Sequence, residues 1–409
     1  MKVDHNFFIK AAPLLLVLFI DGMGLSLIMP ILSALMFDPN SHFFANPQIG
    51  SNEHNLMYGA IIGLYMLCWF FGAAVLGDLS DSLGRKKCLM ICLLGAGISY
   101  LISAVAVVFQ SMSLLLVGRV IAGLTSGSQP IAQAAIIDLS DDAHKARNIG
   151  FILLAISLGF ILGPLFGGIL SDSKLVSWFN YAVPFYFATG ISFINIILLW
   201  YLFKDSVIPK KTKIPLCFYK AIEIFISAFK HERISKLSLV FFIFVFGWSS
   251  FYSFIPLFLV KRYEFSSTQI SLFMALMGVG FCVGTGLLVQ YLTKRWSLAD
   301  VFKVTTSLGA FFIFVMAVTH HVWLSELLVA PIACCVSIAY SVIVTIFSDQ
   351  VDANSQGWIM GITGSIMALV WAINGVVIGI VAIYGATLPL LVAVVSLFVS
   401  VACYRGFVK

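Results

Sequence analysis

Long, nearly uncharged apolar runs recur along almost the whole chain. They fall near residues 11–36, 56–77, 88–110, 113–137, 149–171 and 180–203, and again near 235–260, 268–291, 300–319, 322–347, 357–381 and 386–406. A helix needs about 20 mostly apolar residues to cross a bilayer, and each run supplies them. The runs are continuous rather than alternating in polarity, which excludes the strands of an outer-membrane barrel. Only 10% of the 409 residues are charged, against roughly 25% in a soluble domain, which needs polar cover. The sequence therefore predicts an all-α polytopic membrane protein with twelve transmembrane helices in two sets of six. The first run, Ala11 to Phe37, exceeds the core of a signal peptide and lacks a small-x-small cleavage site, so it reads as a retained helix.

This pattern divides the chain into a six-helix unit over 1–203, a central loop over 204–234 and a second six-helix unit over 235–409. The loop is rich in Lys and Arg. It contains Cys217–Phe229, where Phe218, Ile222, Phe225, Ile226 and Phe229 recur at helical spacing. That segment reads as an amphipathic helix lying on the membrane surface. With an even number of spans, both termini share one side. Nearly all basic residues fall on that side, whereas Lys174, Lys261 and Arg262 fall on the other and Arg119 lies within a helix. The bias makes the termini and central loop cytoplasmic. It also accounts for the net charge of +6 without any nucleic-acid partner. The eight cysteines show no metal-ligand spacing or disulfide framework and read as small apolar filler. There is no Walker A string to suggest ATP as driver, and no cofactor or metal is expected.

The two halves echo each other. Asp138, Asp141 and Gly150 keep their spacing in Asp349, Asp352 and Gly361; Gly77, Arg85 and Lys86 correspond to Gly286, Lys294 and Arg295. Such echoes after even-numbered helices point to duplicated units, as in secondary transporters.

Four strings carry chemistry. After the second helix comes Gly77-Asp78-Leu79-Ser80-Asp81-Ser82-Leu83-Gly84-Arg85-Lys86-Lys87, a tight turn holding an acid and a basic cluster between helices. Gly77, Asp81, Gly84, Arg85 and Lys86 suit a charge latch that breaks and re-forms as helices move. The loop resembles the signature loop of the major facilitator superfamily, although Ser82 stands where that family usually has Arg and the second-half copy has Gln290 in place of an acid. Asp21-Gly22-Met23-Gly24-Leu25-Ser26-Leu27-Ile28-Met29-Pro30, Leu116-Val117-Gly118-Arg119-Val120-Ile121-Ala122-Gly123 and Gly159-Phe160-Ile161-Leu162-Gly163-Pro164-Leu165-Phe166-Gly167-Gly168 resemble motifs of the drug/proton antiporter branch. The first half is most similar to bacterial tetracycline/proton antiporters. Those carry acids inside the third and ninth helices, where this chain has Gly97-Ile98-Ser99-Tyr100 and Ser307-Leu308-Gly309-Ala310.

The resemblance implies the major facilitator fold, two pseudo-symmetric six-helix bundles around a central cavity. It also implies that helices 1, 4, 7 and 10 line that cavity. Polar and aromatic candidates there are Ser26, Gln129, Gln133, Trp248, Ser249, Tyr252 and Tyr340, with Trp371 and Asn374 from helix 11. Gly159, Gly163, Pro164, Gly167 and Gly168 would form the antiporter-type packing face. Charges at membrane depth are expensive and mark function. Asp21, about 15 Å into the first helix, and Arg119 are the proton-coupling candidates, either as carrier and partner or as a fixed ion pair. Glu326 sits near the outer end of helix 10. The expected function is proton-coupled efflux of a small organic molecule, a drug or metabolite, by a monomer in the bacterial inner membrane. Uptake of a nutrient or carboxylate siderophore, with Arg119 holding an anion, is the alternative; a non-transporting receptor is a weaker one. No nucleophile–base–orienter set emerges, so an enzyme is not expected.

Overall fold

The structure, a computed structural model, describes residues 5–37, 51–140, 144–205, 219–230, 232–352 and 356–407. The described residues are almost entirely helical. In chain order they form α1 (His5–Phe37), α2 (Ser51–Leu83), α3 (Arg85–Val108), α4 (Met112–Thr125), α5 (Ser128–Asp138), α6 (Lys145–Ile169), α7 (Val183–Leu202), α8 (Tyr219–Lys230), α9 (Glu232–Tyr263), α10 (Ser267–Val283), α11 (Val289–Thr293), α12 (Leu298–Val318), α13 (Val322–Ser348), α14 (Gln356–Ile383) and α15 (Leu388–Phe407). A π-helical segment, Gly284–Leu288, joins α10 to α11, making them one span. Eleven of these helices or joined helices are long and apolar enough to cross a membrane.

The twelfth run is broken. The sequence predicts one helix over 113–137, but the chain leaves the helical path at Ser126–Gly127 and restarts as α5. The cause is local. Pro130 has no N–H to give the carbonyl of Ser126, and its ring crowds that carbonyl. Thr125 and Ser126 donate instead to the carbonyls of Ile121 and Ala122, at 2.8 and 2.6 Å. Both pieces are needed to span, which gives the fold its twelve transmembrane elements.

Polar caps set several helix ends. Ser266 and Gln269 form a capping box at α10, and Ser297 accepts from Asp300 N at the start of α12. By packing, the chain forms two compact units: Met1–Ile31 with Cys68–Phe218, and Leu32–Leu67 with Tyr219–Lys409. Both α1 and α2 thus contribute to each unit. In the first, Leu14, Leu18, Leu76, Leu89, Ile131 and Phe203 are at the core. In the second, the start of α2 lies against α14. A Cβ on Gly375 would come 2.6 Å from the carbonyl of Gly59, so these two backbones touch as only glycines permit.

Of the central loop, residues 206–218 and 231 lie outside the described residues. The expected amphipathic helix is present as α8. Ala221 and Ala228 are buried, and Ser227 accepts from Trp358 Nε1 at 3.1 Å. Ile222, Ile226 and Phe229 on the other face are exposed. Cys217 lies outside the described residues; the other seven cysteines are free.

Candidate proton-coupling and substrate sites

Asp21 is held where α4 breaks. The Ser128 hydroxyl, in the first turn of α5, lies 2.8 and 2.7 Å from the two carboxylate oxygens. Residues there belong to a helix N-terminus, whose first N–H groups have no intrahelical acceptors and carry partial positive charge. A hydroxyl can donate to a carboxylate and accept from a carboxylic acid, so this hydrogen bond survives in either protonation state.

Arg119 is elsewhere. It is 4% exposed and donates from Nη2 to Ser103 Oγ of α3 at 3.0 Å, while Ser103 donates to the Ser99 carbonyl. Among the described residues no ion pair joins it to Asp21, which corrects the expectation of a paired carrier. The reason is geometric: Arg119 faces α3 from the middle of α4, and Asp21 meets the chain beyond the break.

Of the latch string, Arg85 and Lys86 are held by partners that the loop itself does not contain. Arg85 Nε pairs with Asp138 Oδ2 at the end of α5, at 2.6 Å. The Asp205 carboxylate, just past α7, accepts from the backbone N–H of Arg85 and Lys86, at 3.1 and 3.3 Å, and so caps α3. Lys86 Nζ donates to the Trp200 carbonyl at 2.7 Å and lies over the indole ring. Gly84 has φ 91° and ψ 153°, a conformation essentially reserved for glycine, with Asp205 packed where a Cβ would sit. Gly77 has nothing within 4 Å of its missing Cβ, so packing does not require a glycine there. The side chain of Asp81 lies outside the described residues. Asp205 and Ser128 escape a reading of the sequence; Asp138 is visible only as half of the internal echo.

The antiporter-type string is a close-packing face. A Cβ on Gly159, Gly163 or Gly167 would come 2.5–2.8 Å from the Phe19, Met23 or Leu27 carbonyl of α1. Pro164 and Gly168 are buried on the same helix. Ser26 belongs to this face rather than to a solute site, since its wholly buried hydroxyl lies within reach of the Gly22, Met23 and Gly159 carbonyls. Gln129 and Gln133 are half-buried, one turn apart on α5.

The remaining candidates gather in the second unit. Ring centroids lie 5.7 Å apart for Trp248–Tyr252 and 5.5 Å for Tyr252–Trp371. Asn374 ties α14 to α9, donating from Nδ2 to the Phe246 carbonyl at 3.1 Å and to Ser250 Oγ at 2.7 Å. Ser249 is spent on the same carbonyl. Tyr340, on α13, packs on Phe241 and reaches Met367 Sδ. Glu326 is exposed in the second turn of α13.

Membrane-length helices, with a carboxyl held at a broken helix, mark a polytopic membrane protein of the transporter class. The major facilitator superfamily model matches residues 14–375, and the chain belongs to that family. It is 28% identical to the class C tetracycline resistance protein of Escherichia coli over 368 residues, 90% of this chain and 88% of that one. It is 26% identical over 350 residues to the mouse (Mus musculus) major facilitator superfamily domain-containing protein 10, spanning 79% of this chain and 73% of that one. Among solved structures, the human organic anion transporter MFSD10 matches with TM-score 0.69 at 20% identity, over 97% of this chain and 99% of that one. A D-xylose–proton symporter matches with TM-score 0.76 at 13% identity, over 98% of each. The protein is a multi-pass membrane transporter for small molecules and not an enzyme.

Proposed function

We propose that this protein exports a small organic solute in exchange for protons, by alternating access, as a monomer in a bacterial inner membrane with both termini cytoplasmic. The observation that carries this reading is the Asp21 carboxyl at membrane depth, bound by Ser128 at the break between α4 and α5. A carboxylate is costly to desolvate, and protonation relieves that cost. A conformational equilibrium that desolvates Asp21 in one state is therefore biased by its proton. Ser128 keeps the carboxyl in place through the cycle and supplies no competing charge. Arg119 acts separately, locking α4 to α3 through Ser103. The direction is supported by the glycine face of α6 and by the resistance proteins among the relatives. The siting of Lys and Arg supports the orientation.

The test is flux in proteoliposomes carrying an internal pH dye, with a panel of tetracyclines, cationic dyes and carboxylate siderophores. A panel solute should move protons with the wild type, and Asp21→Asn should abolish that movement while leaving solute exchange. Ser128→Ala should slow proton movement roughly ten- to hundredfold, the worth of one hydrogen bond to a charged group. Equal proton flux in wild type and Asp21→Asn would remove Asp21 from the mechanism. Solute accumulation down the proton gradient into right-side-out vesicles would reverse the direction.

A further inference from the structure

Outside the spans, α8 keeps an exposed apolar side. One flank of this helix is fastened to the second unit. Ala221 and Ala228 are buried, and the Ser227 hydroxyl accepts from Trp358 Nε1 at 3.1 Å. Ile224 lies 3.7 Å from where a Cβ on Gly361 of α14 would sit. The other flank carries Tyr219, Ile222, Ile226 and Phe229, all exposed. These positions stand three or four residues apart, so they share one side of the helix. The neighbours of α8 fix its level. Trp358 and Gly361 belong to the first turn of the span Trp358–Ile383. One residue separates α8 from α9, whose span begins at Ile234. The helix therefore lies where two spans enter the bilayer. Basic residues gather at the same level. Lys230 ends α8 and Lys236 lies in the second turn of α9, both exposed. Over residues 204–236 the sequence has eight Lys and Arg against three Asp and Glu, with Glu223 the acid of α8 itself.

We infer that α8 docks its Tyr219, Ile222, Ile226 and Phe229 side into the headgroup layer of the adjoining leaflet and selects anionic lipid there. The sequence predicts a surface helix; the docked flank identifies which side is left for lipid, and the basic excess names the lipid. The occupant is the bilayer rather than another protein, because this side starts at the edge of the membrane that α9 and α14 enter. A helix lying in that plane buries its apolar side at the boundary of headgroups and acyl chains. Tyr219 suits the layer, with an apolar ring and a polar tip. Lysines run their stems along apolar surface and present their charge to headgroups. Each Lys or Arg near an anionic surface favours binding roughly fivefold. Because α8 is bonded to the first turn of α14 and continues into α9, lipid that holds α8 also holds the ends of those two spans. The inference needs neither a solute nor a proton gradient and so stands apart from the exporter reading.

The experiment is amide hydrogen exchange over residues 219–230 of the full-length protein, in nanodiscs of phosphatidylcholine alone or with phosphatidylglycerol added. Phosphatidylglycerol should slow exchange in the wild type by roughly tenfold or more, the sum of several basic residues, and added salt should reverse the slowing. Lys230→Gln should give back roughly fivefold, in phosphatidylglycerol discs alone. Ile226→Ser should speed exchange roughly tenfold in both lipids, the worth of the apolar area it withdraws. Ser227→Ala, on the docked flank, should leave the phosphatidylglycerol effect intact. Equal exchange of the wild type in the two lipids would overturn the selection of anionic lipid. Wild-type exchange in Ile226→Ser would overturn the docking side. Slowing that follows the number of protein copies per disc would overturn the bilayer as occupant and put a second copy of the chain there. Exchange is read without solute or gradient, so loss of proton coupling in the flux assay would overturn the exporter reading and leave this result standing.

Discussion

The loops at 77–87 and 286–296 share one sequence pattern and differ in what they hold. In the first, Gly84 turns the chain in a glycine-only conformation, and Asp138 and Asp205 reach in from α5 and the end of α7 to hold Arg85 and the start of α3. In the second, the position of Gly84 is taken by Thr293, which stays helical and bonds back to the Val289 carbonyl at 2.8 Å. Arg295 lies 4.1 Å over the ring of Tyr291 on its own turn, and the span bears a π-helical segment around Gly286. The first loop braces separate helices; among the described residues, the side-chain bonds of the second stay within its own turn. Both carry basic residues, but bracing depends on acids placed far along the chain, and among the described residues only the first loop shows them in use.

Substitutions at matched positions can break or sharpen this contrast, with thermal unfolding of the detergent-purified protein as readout. The largest effect is expected for Gly84→Val, which forces a β-branched residue into a glycine-only conformation and displaces Asp205. It should cost about 2–3 kcal/mol, whereas Thr293→Val should stay within about 0.5 kcal/mol. Equal losses would show that the turn conformations do not differ. Next comes Asp205→Ala, which uncaps α3 and should cost about 1–2 kcal/mol; a silent substitution would remove Asp205 from the brace. A double-mutant cycle on Arg85 and Asp138 should give a coupling of about 0.5–1 kcal/mol, modest because both side chains are partly exposed. The corresponding cycle on Lys294 and Asp349 should give none. Smallest is Arg295→Ala, below about 0.5 kcal/mol, the scale of an exposed cation–π contact.

Much of the architecture was legible because lipid imposes a one-dimensional constraint: apolar length marks a span. Helices such as α12 (Leu298–Val318) and α13 (Val322–Ser348) begin and end within a few residues of their runs. The break at Ser126–Gly127 carries a local signal, the Gly-Ser-Gln-Pro stretch from Gly127 to Pro130, that hydropathy averages away. Asp205 was illegible for the opposite reason, since its role as a cap arises from a contact 120 residues distant in sequence. Asp21 announced itself as an acid in an apolar run, but only coordinates pair it with Ser128 rather than Arg119. Ser26 shows the converse: a polar residue inside a span reads as a ligand until the carbonyls around it are seen.

The interrupted fourth span bears on how the chain enters the membrane during synthesis. α4 has 14 residues and α5 has 11, about 21 and 17 Å of helix, each short of the roughly 30 Å hydrocarbon layer. Arg119 adds a penalty of roughly 2.5–3.5 kcal/mol at mid-membrane. The open backbone between the two pieces would meet lipid with unpaired groups if it entered alone. Ser103 on α3 gives the arginine a partner and Asp21 on α1 gives Ser128 one, and both helices precede this segment in the chain. The order of synthesis thus delivers the shelter before the segment that requires it, and integration of the fourth span becomes an act of folding onto the first three.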